Sequence, residues 1–403
     1  MEWKTVKLGD CLSKIIDNRG KTPKDLVPSG HPLLEINAVS KNNKYPLYGE
    51  AKKYVDDVVY STWFRSGHPQ YGDILVPTVG TLGAVAYVDR NDCCIAQNLI
   101  ALRANTDLCD SAYIYYVLCN PQIVKRLLNL DIGAVQASIK VPHLLALEIP
   151  LPPLETQRRI AAILSSLDAK IENNNRINRN LEAQAQALYK SWFVYFEPWG
   201  GKMPEDWKEV SLNEMTSKFG TGLNPRKNFK LGEGENYYVT IKNMGNNRVY
   251  LDDRCDKVTD EAIEKINKRS KLQAGDLLFS GIGTIGRVAL VTETPINWNT
   301  SESVFNLHPA NNISSEFLYV LLLSDVFQNY VKVHAQGGVQ QGIRMASLKD
   351  YKMYIPEDSK MKQFDSLIIP IITRIKNIDK ENDRLAALRD TLLPKLMKGE
   401  IEV

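Results

Sequence analysis

Apolar residues return at alternating intervals of four and three along two long stretches of this chain. In the first, Ile160, Leu164, Leu167, Ile171, Asn174, Asn178, Leu181, Ala185, Leu188 and Trp192 form a heptad seam with two adjacent polar layers. Phe364, Ile368, Ile371, Ile375, Ile378, Asn382, Leu385, Arg389 and Leu392 repeat the pattern in the second. The spacing predicts a helix from about 155 to 193 and another from about 361 to Pro394, about 60 and 50 Å long at 1.5 Å per residue. Each seam needs cover, and the chain offers one other helix of similar length. An intramolecular antiparallel pair is therefore expected; the alternative is that each stripe packs on its own globular domain. Asparagines in such a seam cost stability and can set register.

Outside these stretches the apolar runs are short and broken by Gly, Pro and Asn, which predicts strands joined by irregular loops. Leu33 to Val39 and Tyr237 to Ile241 are two such runs. Gly-Asp-Ile-Leu-Val at 72–76, a Gly-Thr-Leu-Gly turn and Ala84 to Val88 read as strand, glycine turn and strand, and 275–291 reads the same way. A helix is expected after each, at Ala112 to Leu128 and at Ser315 to Val331.

These elements occur twice at nearly one lag. Gly72-Asp73 and Gly80-Thr81-Leu82-Gly83 return 203 residues later as Gly275-Asp276 and Gly283-Thr284-Ile285-Gly286. Trp3 returns as Trp207, Val135-Gln136 as Val339-Gln340, Ile139 as Ile343, Leu144 as Leu348 and Leu181 as Leu385, each 204 residues on. A lag held across the whole chain implies duplicated domains. The expected fold class is mixed α/β of the α+β kind: two similar globular domains separated by a long antiparallel two-helix coiled coil, with an internal pseudo-twofold repeat. The Gly- and Pro-rich stretch from Phe196 to Pro204 is the linker between copies.

Composition narrows the partners only a little. At 403 residues each copy is long enough to bury its own core. No run of about 18 apolar residues could span a bilayer, and Met1-Glu2-Trp3-Lys4 opens no signal peptide, so a cytoplasmic protein is expected. The six cysteines show no metal-site spacing and read as buried thiols. Lys plus Arg number 50 against 47 Asp plus Glu, so any nucleic-acid surface must come from local segregation of charge. Such clusters occur at matching places, Lys14-Arg19-Lys21-Lys24 and Lys218-Arg226-Lys227-Lys230; a solvated loop explains either one alone equally well, and finding both at the same place in their repeats favours function.

Comparing the copies removes two false motifs. Gly281-x-Gly283-x-x-Gly286 matches a dinucleotide fingerprint, but β-type residues Arg287 to Val291 follow where a helix is required, and Thr78 stands at the first glycine in the other copy. Arg19-Gly20-Lys21-Thr22 lacks the first glycine of a phosphate loop, since position 15 is Ile15. Turns that demand positive φ explain the glycines. A loop of backbone amides with Arg, Lys, Thr and Asn donors nevertheless suits phosphate and base-edge contacts. The candidate DNA-contacting residues are Arg19, Lys21, Thr22, Lys24, Thr81, Gln136 and Ser138 in the first copy. Those in the second are Lys218, Thr221, Asn224, Arg226, Lys227, Thr284, Gln340 and Gln341. Amides such as Gln136 and Gln340 can read adenine edges, though capping of the next element explains them equally. The five histidines show no catalytic or metal spacing, and no nucleophile elbow, zincin helix or Asn-Pro-Pro-aromatic tetrapeptide occurs.

Three further segments carry a resemblance. Ile149-Pro150-Leu151-Pro152-Pro153-Leu154-Glu155-Thr156-Gln157-Arg158-Arg159-Ile160, Leu188-Tyr189-Lys190-Ser191-Trp192-Phe193-Val194 and Leu392-Leu393-Pro394-Lys395-Leu396-Met397-Lys398-Gly399-Glu400-Ile401 resemble conserved segments of the specificity subunit of type I restriction-modification systems. In the second copy Ile355-Pro356-Glu357-Asp358 departs from the proline-rich start of the central helix. The resemblance implies target-recognition domains at 1–153 and 207–358, conserved long helices at 154–196 and 359–403, and a linker at 197–206. It implies a non-catalytic reader of a bipartite, asymmetric site in double-stranded DNA, whose helices set the gap. Two modification subunits, which are adenine methyltransferases, and two restriction subunits are the expected partners, with no membrane. S-adenosylmethionine, ATP and Mg are expected in those partners and no cofactor in this chain. A duplicated protein scaffold, or a single-chain DNA-modifying enzyme, is the alternative.

Overall fold

Apolar runs too short for helices, such as Ile74-Leu75-Val76 and Leu277-Leu278-Phe279, become strands whose residues are all buried. The structure, a computed structural model, describes residues 3–41, 43–129, 138–337 and 341–403. It divides into two units, one of Met1–Asn174 with Glu381–Val403 and one of Asn175–Lys380. No helix among the described residues is long and apolar enough to cross a membrane.

In unit one a four-stranded antiparallel sheet has the order Leu12–Ile16, Leu99–Ala104, Ile74–Pro77, Ala86–Tyr87. A second sheet sets His31–Leu34 between Tyr54–Val55, antiparallel, and Cys94–Ile95, parallel. Lys4–Lys7 pairs with Glu148–Leu151. Unit two repeats these orders. Its larger sheet runs Thr216–Thr221, Val304–Pro309, Leu277–Ser280, Val288–Leu290, and its smaller one Asp256–Val258, Asn236–Val239, Trp298–Thr300. Lys208–Ser211 pairs with Lys352–Ile355.

Some elements differ from the sequence expectation. The run from Leu33 to Val39 ends its strand at Leu34 and turns through a short helix at Ile36–Ala38; Asn236–Val239 likewise yields to Ile241–Asn243. In the second case Thr240 and Asn243 cap each other, which stops the strand. The helix expected at Ala112 to Leu128 is two helices, Ser111–Cys119 and Pro121–Leu128. Asn120 accepts the Gln122 N–H at 2.9 Å and Pro121 presets the first helical φ, so a new helix starts there. Ser324 does the same between Ser315–Leu323 and Asp325–His334, accepting the Phe327 N–H at 3.3 Å.

The two heptad stretches are continuous helices, Leu154–Phe193 and Asp358–Lys398. Within unit one they run antiparallel: Asn174 donates to Glu381 at 2.8 Å and to Asn382 at 2.9 Å, and Arg389 donates to Asp168 at 2.9 Å. Within unit two Asn178 donates to Asp379 at 2.8 Å, and Trp192 meets Phe364 edge-on with ring centres 5.5 Å apart. Both readings of the seams hold. Tyr189, Phe193, Phe364 and Ile368 also join Phe317 and Leu321 in the core of unit two, while Ile160, Leu164, Leu393 and Leu396 join Tyr113 and Val117 in that of unit one.

The second helix does not stop at Pro394. A proline inside a helix costs about 3 kcal/mol through its missing N–H. Leu393, Leu396 and Met397 are each 3 % exposed or less, and such burial contributes roughly 1.5–3 kcal/mol per side chain. The last turn is held by what it buries. All six cysteines are free thiols, five of them buried, and burial pushes the Cys93 thiol up to about 12.

Candidate nucleic-acid interface

Strand direction decides which loops can meet. In unit one Leu12–Ile16 and Ile74–Pro77 both run antiparallel to the Leu99–Ala104 strand between them, so they end at the same edge of the sheet, where that strand begins. The basic loop from Asp17 to Lys24 leaves the first, and the turn from Thr78 to Gly83 leaves the second. Asn98 leads into the third, and its carbonyl accepts the Thr78 N–H at 2.8 Å. Thr78 in turn accepts the Ile139 N–H at 2.9 Å, and Val79 bridges to Ser138. Arg19, Thr78, Asn98, Ser138 and Lys140 line a cleft of about 330 Å³ at this edge.

Unit two is built alike. The loop after Thr216–Thr221, the glycine turn after Leu277–Ser280 and the residues entering Val304–Pro309 share one edge. Gly281 donates to Ser303 O at 2.9 Å, Ile343 to Gly281 O at 2.8 Å and Gly283 to Gln341 O at 2.8 Å, and Ile282 bridges to Gly342. The glycines flank an exposed threonine, Thr81 or Thr284, at φ between 78° and 89° in both copies. That region favours glycine. Each turn returns into a strand, not a helix, as the copy comparison expected.

Gly222 is needed for a different reason. A Cβ there would lie 1.7 Å from the carbonyl oxygen of Thr300. Substitution by alanine must push the loop away from that backbone, at an expected cost of about 1–3 kcal/mol. A lowered denaturant midpoint of unit two is the expected result, and an unchanged midpoint would rule out the close approach.

The candidate side chains are not equivalent in place. Lys21, Lys24, Arg226, Lys227 and Gln341 are exposed on the converging segments, and Thr22 and Ser138 are half-buried there. Arg19 already has a partner: its guanidinium grips Asp17 through two bonds of 2.8 and 2.7 Å and holds that carboxyl below the usual carboxylate range. Thr221 is buried; its hydroxyl donates to Gly222 O at 3.0 Å and accepts from Arg269 at 3.3 Å. Asn224 accepts from the Asn228 side chain at its backbone oxygen, at 2.9 Å. Lys218 pairs in register with His308, three residues before the strand end at Thr221, so it stands about 10 Å back from the edge. Gln136 and Gln340 lie outside the described residues.

Two contributors escaped the sequence reading. Asn98, at φ 62°, and Ser301 to Ser303 enter the third strand at the same edge, and a lone Asn or a Ser pair carries no signal of that. The paired Gly-Asp motif proves structural. Asp73 takes a two-bond Arg103 fork and the Gln70 N–H, while Asp276 takes His308 and the Gln273 N–H. These bonds pin the start of each glycine-turn strand to its neighbour.

Comparison with known proteins gives one consistent result. The family model of the type I restriction modification DNA specificity domain matches twice, over residues 1–183 and 204–389. The chain is 23% identical to the type I restriction enzyme HindI specificity subunit of Haemophilus influenzae over 478 residues, covering 99% of this chain and 100% of that protein. It is 24% identical to the MjaIX specificity subunit of Methanocaldococcus jannaschii over 308 residues, or 73% and 69% of the two chains. The S subunit of a type I restriction-modification system from M. genitalium has a similar fold, with a TM-score of 0.52 at 20% identity over 98% of this chain and 96% of that one. Two matches that together span most of the sequence, on two units of one topology, show that the chain belongs to the family of the type I restriction modification DNA specificity domain.

Proposed function

We propose that this chain is the DNA-reading subunit of a type I restriction-modification complex and performs no catalysis itself. The carrying observation is a sheet edge, present once in each unit, where four loop segments converge with exposed Lys, Arg, Thr and Gln side chains. Such groups suit phosphate oxygens and base edges. Each unit reads one half of a split site in double-stranded DNA, and because the loops differ between copies the halves differ in sequence. The paired helices set the gap and, with the segments around them, hold two methyltransferase subunits and two restriction subunits. S-adenosylmethionine, ATP and Mg belong to those partners, this chain binds no cofactor, and the complex works in the cytoplasm.

Replacing Arg226 and Lys227 by alanine tests the half-site assignment. Loss of a bidentate base contact costs about 1–3 kcal/mol of discrimination. Methylome sequencing of cells carrying the variant with its methyltransferase partner is expected to show relaxed bases in one half-site and an unchanged other half. Equal change in both halves, or lost stability with unchanged preference, contradicts the assignment.

A further inference from the structure

Arg65 and Arg269 stand 204 residues apart, as do Lys140 and Arg344. This is the lag that relates Trp3 to Trp207 and Ile139 to Ile343; around Arg65 the lag is 203, as at Gly72-Asp73, and it sets Arg65 against Lys268, one residue before Arg269. At a lag of 204 the loop cations Arg19, Lys21 and Lys24 meet Leu223, Pro225 and Asn228, so the copies keep some basic positions and abandon others. These four residues are exposed. Among the described residues, the side chains of Arg65, Lys140 and Arg344 make no hydrogen bond or ion pair, in contrast to Arg19.

Lys140 and Arg344 occupy one place in the fold, while Arg65, in the loop after the Asp57–Thr62 helix, and Arg269, the last residue of the Asp260–Arg269 helix, both lie beside the end of the first strand of the larger sheet. Lys140 follows Ile139, which is bonded to Thr78 just past the Ile74–Pro77 strand, and Arg344 follows Ile343, which is bonded to Gly281 just past Leu277–Ser280. Arg65 precedes Ser66, whose hydroxyl donates to Asp17 O at 2.7 Å and whose N–H donates to Asn18 at 2.9 Å, just past the Leu12–Ile16 strand. Arg269 donates to Thr221, the last residue of Thr216–Thr221. Within each unit the two cations therefore flank the loop row from strands two positions apart, a backbone separation of roughly 10 Å. The major groove of B-DNA is about 12 Å wide, with phosphates along both borders.

Two half-sites of different sequence share only their backbone. Residues kept by both copies suit what both halves have in common, and residues that differ suit the bases. On the DNA-reading function proposed above, we infer that Arg65 with Lys140, and Arg269 with Arg344, are matched phosphate clamps that seat each unit on the duplex without reading sequence.

The test is the salt dependence of binding by the full chain co-expressed with its methyltransferase partner. The probes are a duplex selected by the wild-type complex from a random pool and a scrambled duplex of equal length. Each neutralised phosphate contributes about 0.9 to the slope of log affinity against log salt. Lys140→Gln and Arg344→Gln are each expected to make the slope shallower by about 0.9, and the double variant by about 1.8, with equal losses on both duplexes and unchanged base preference. Lys140→Arg is expected to keep the wild-type slope. An unchanged slope in the glutamine variants, or a loss confined to the selected duplex, overturns the clamp while leaving the DNA-reading function standing. A wild-type complex that binds neither duplex, or binds both without salt dependence, overturns that function and the clamp with it.

Discussion

Inserting one heptad into both long helices, between the asparagine layers at Asn174 and Asn178 and between Asp379 and Asn382, is expected to abolish methylation at the original site and create a new one. Both half-sites are expected to stay the same and the gap to lengthen. Seven residues keep the seam in phase and add about 10.5 Å at 1.5 Å per residue. Three base pairs span nearly the same distance, at about 3.4 Å each. Rotation is less well matched. Three base pairs turn by roughly 100° at 10–10.5 per turn, whereas a heptad returns the helix face to within about 20°. Methylation of the lengthened site is therefore expected to be slower than that of the original site by the unaltered chain. Methylome sequencing reads both outcomes at once, and an unchanged gap rules out the helices as the ruler.

Asp168→Ala is expected to loosen unit one by about 3–5 kcal/mol, the usual cost of removing one partner from a buried ion pair. Asp168 is 8 % exposed and accepts from Arg389 at 2.9 Å and from the Tyr116 hydroxyl at 2.5 Å. The Lys44 amine donates to that same hydroxyl and to Ser165, both at 3.1 Å. Burial works against the charge on Arg389, yet the Asp168 and Asp390 carboxylates outweigh it and hold the guanidinium above its ordinary value. Burial pushes the Lys44 amine below its usual 10.5, and Asp168 opposes that push. Without Asp168 the amine drops further. The unfolded chain then binds more protons than the folded one between the two Lys44 values, so the variant gains stability as pH rises toward 10.5. Hydrogen exchange should show amides of 154–174 and 381–398 opening about two to four orders of magnitude faster, at 1.36 kcal/mol per tenfold, with unit two unaffected. Unchanged protection in unit one disproves the network's role. The Asp168→Leu, Arg389→Met pair should recover much of the loss, because apolar replacement of both partners removes the desolvation cost together with the attraction.

Much of the architecture was legible along the chain, and the misses have local causes. The seams from Ile160 to Trp192 and from Phe364 to Leu392 are visible because burial repeats with the helix. Yet Ile372, not the expected Ile371, is the fully buried residue at one layer, and the second helix passes Pro394. The penalty at Pro394 is written in its own residue type, while the gain from Leu396 and Met397 exists only once unit one is folded. Asn120-Pro121 carried a helix-start signal that the continuous apolar stretch around it concealed. At the interface the glycine turns were found because two copies agreed. Arg19 stands among the candidate DNA contacts of the sequence, though Asp17 two residues before it claims its guanidinium.

The sequence by itself determined the duplication, the two long helices and the glycine turns, because each is encoded by a period, a lag or a residue type demanded by local backbone geometry. Only the tertiary structure decided which loops share an edge. Thr78 meets Asn98 and Ile139, and Gly281 meets Ser303 and Ile343, through strand order and direction, which no local spacing records. Lys140 and Arg344 therefore read as isolated surface cations until the sheet places each beside its turn.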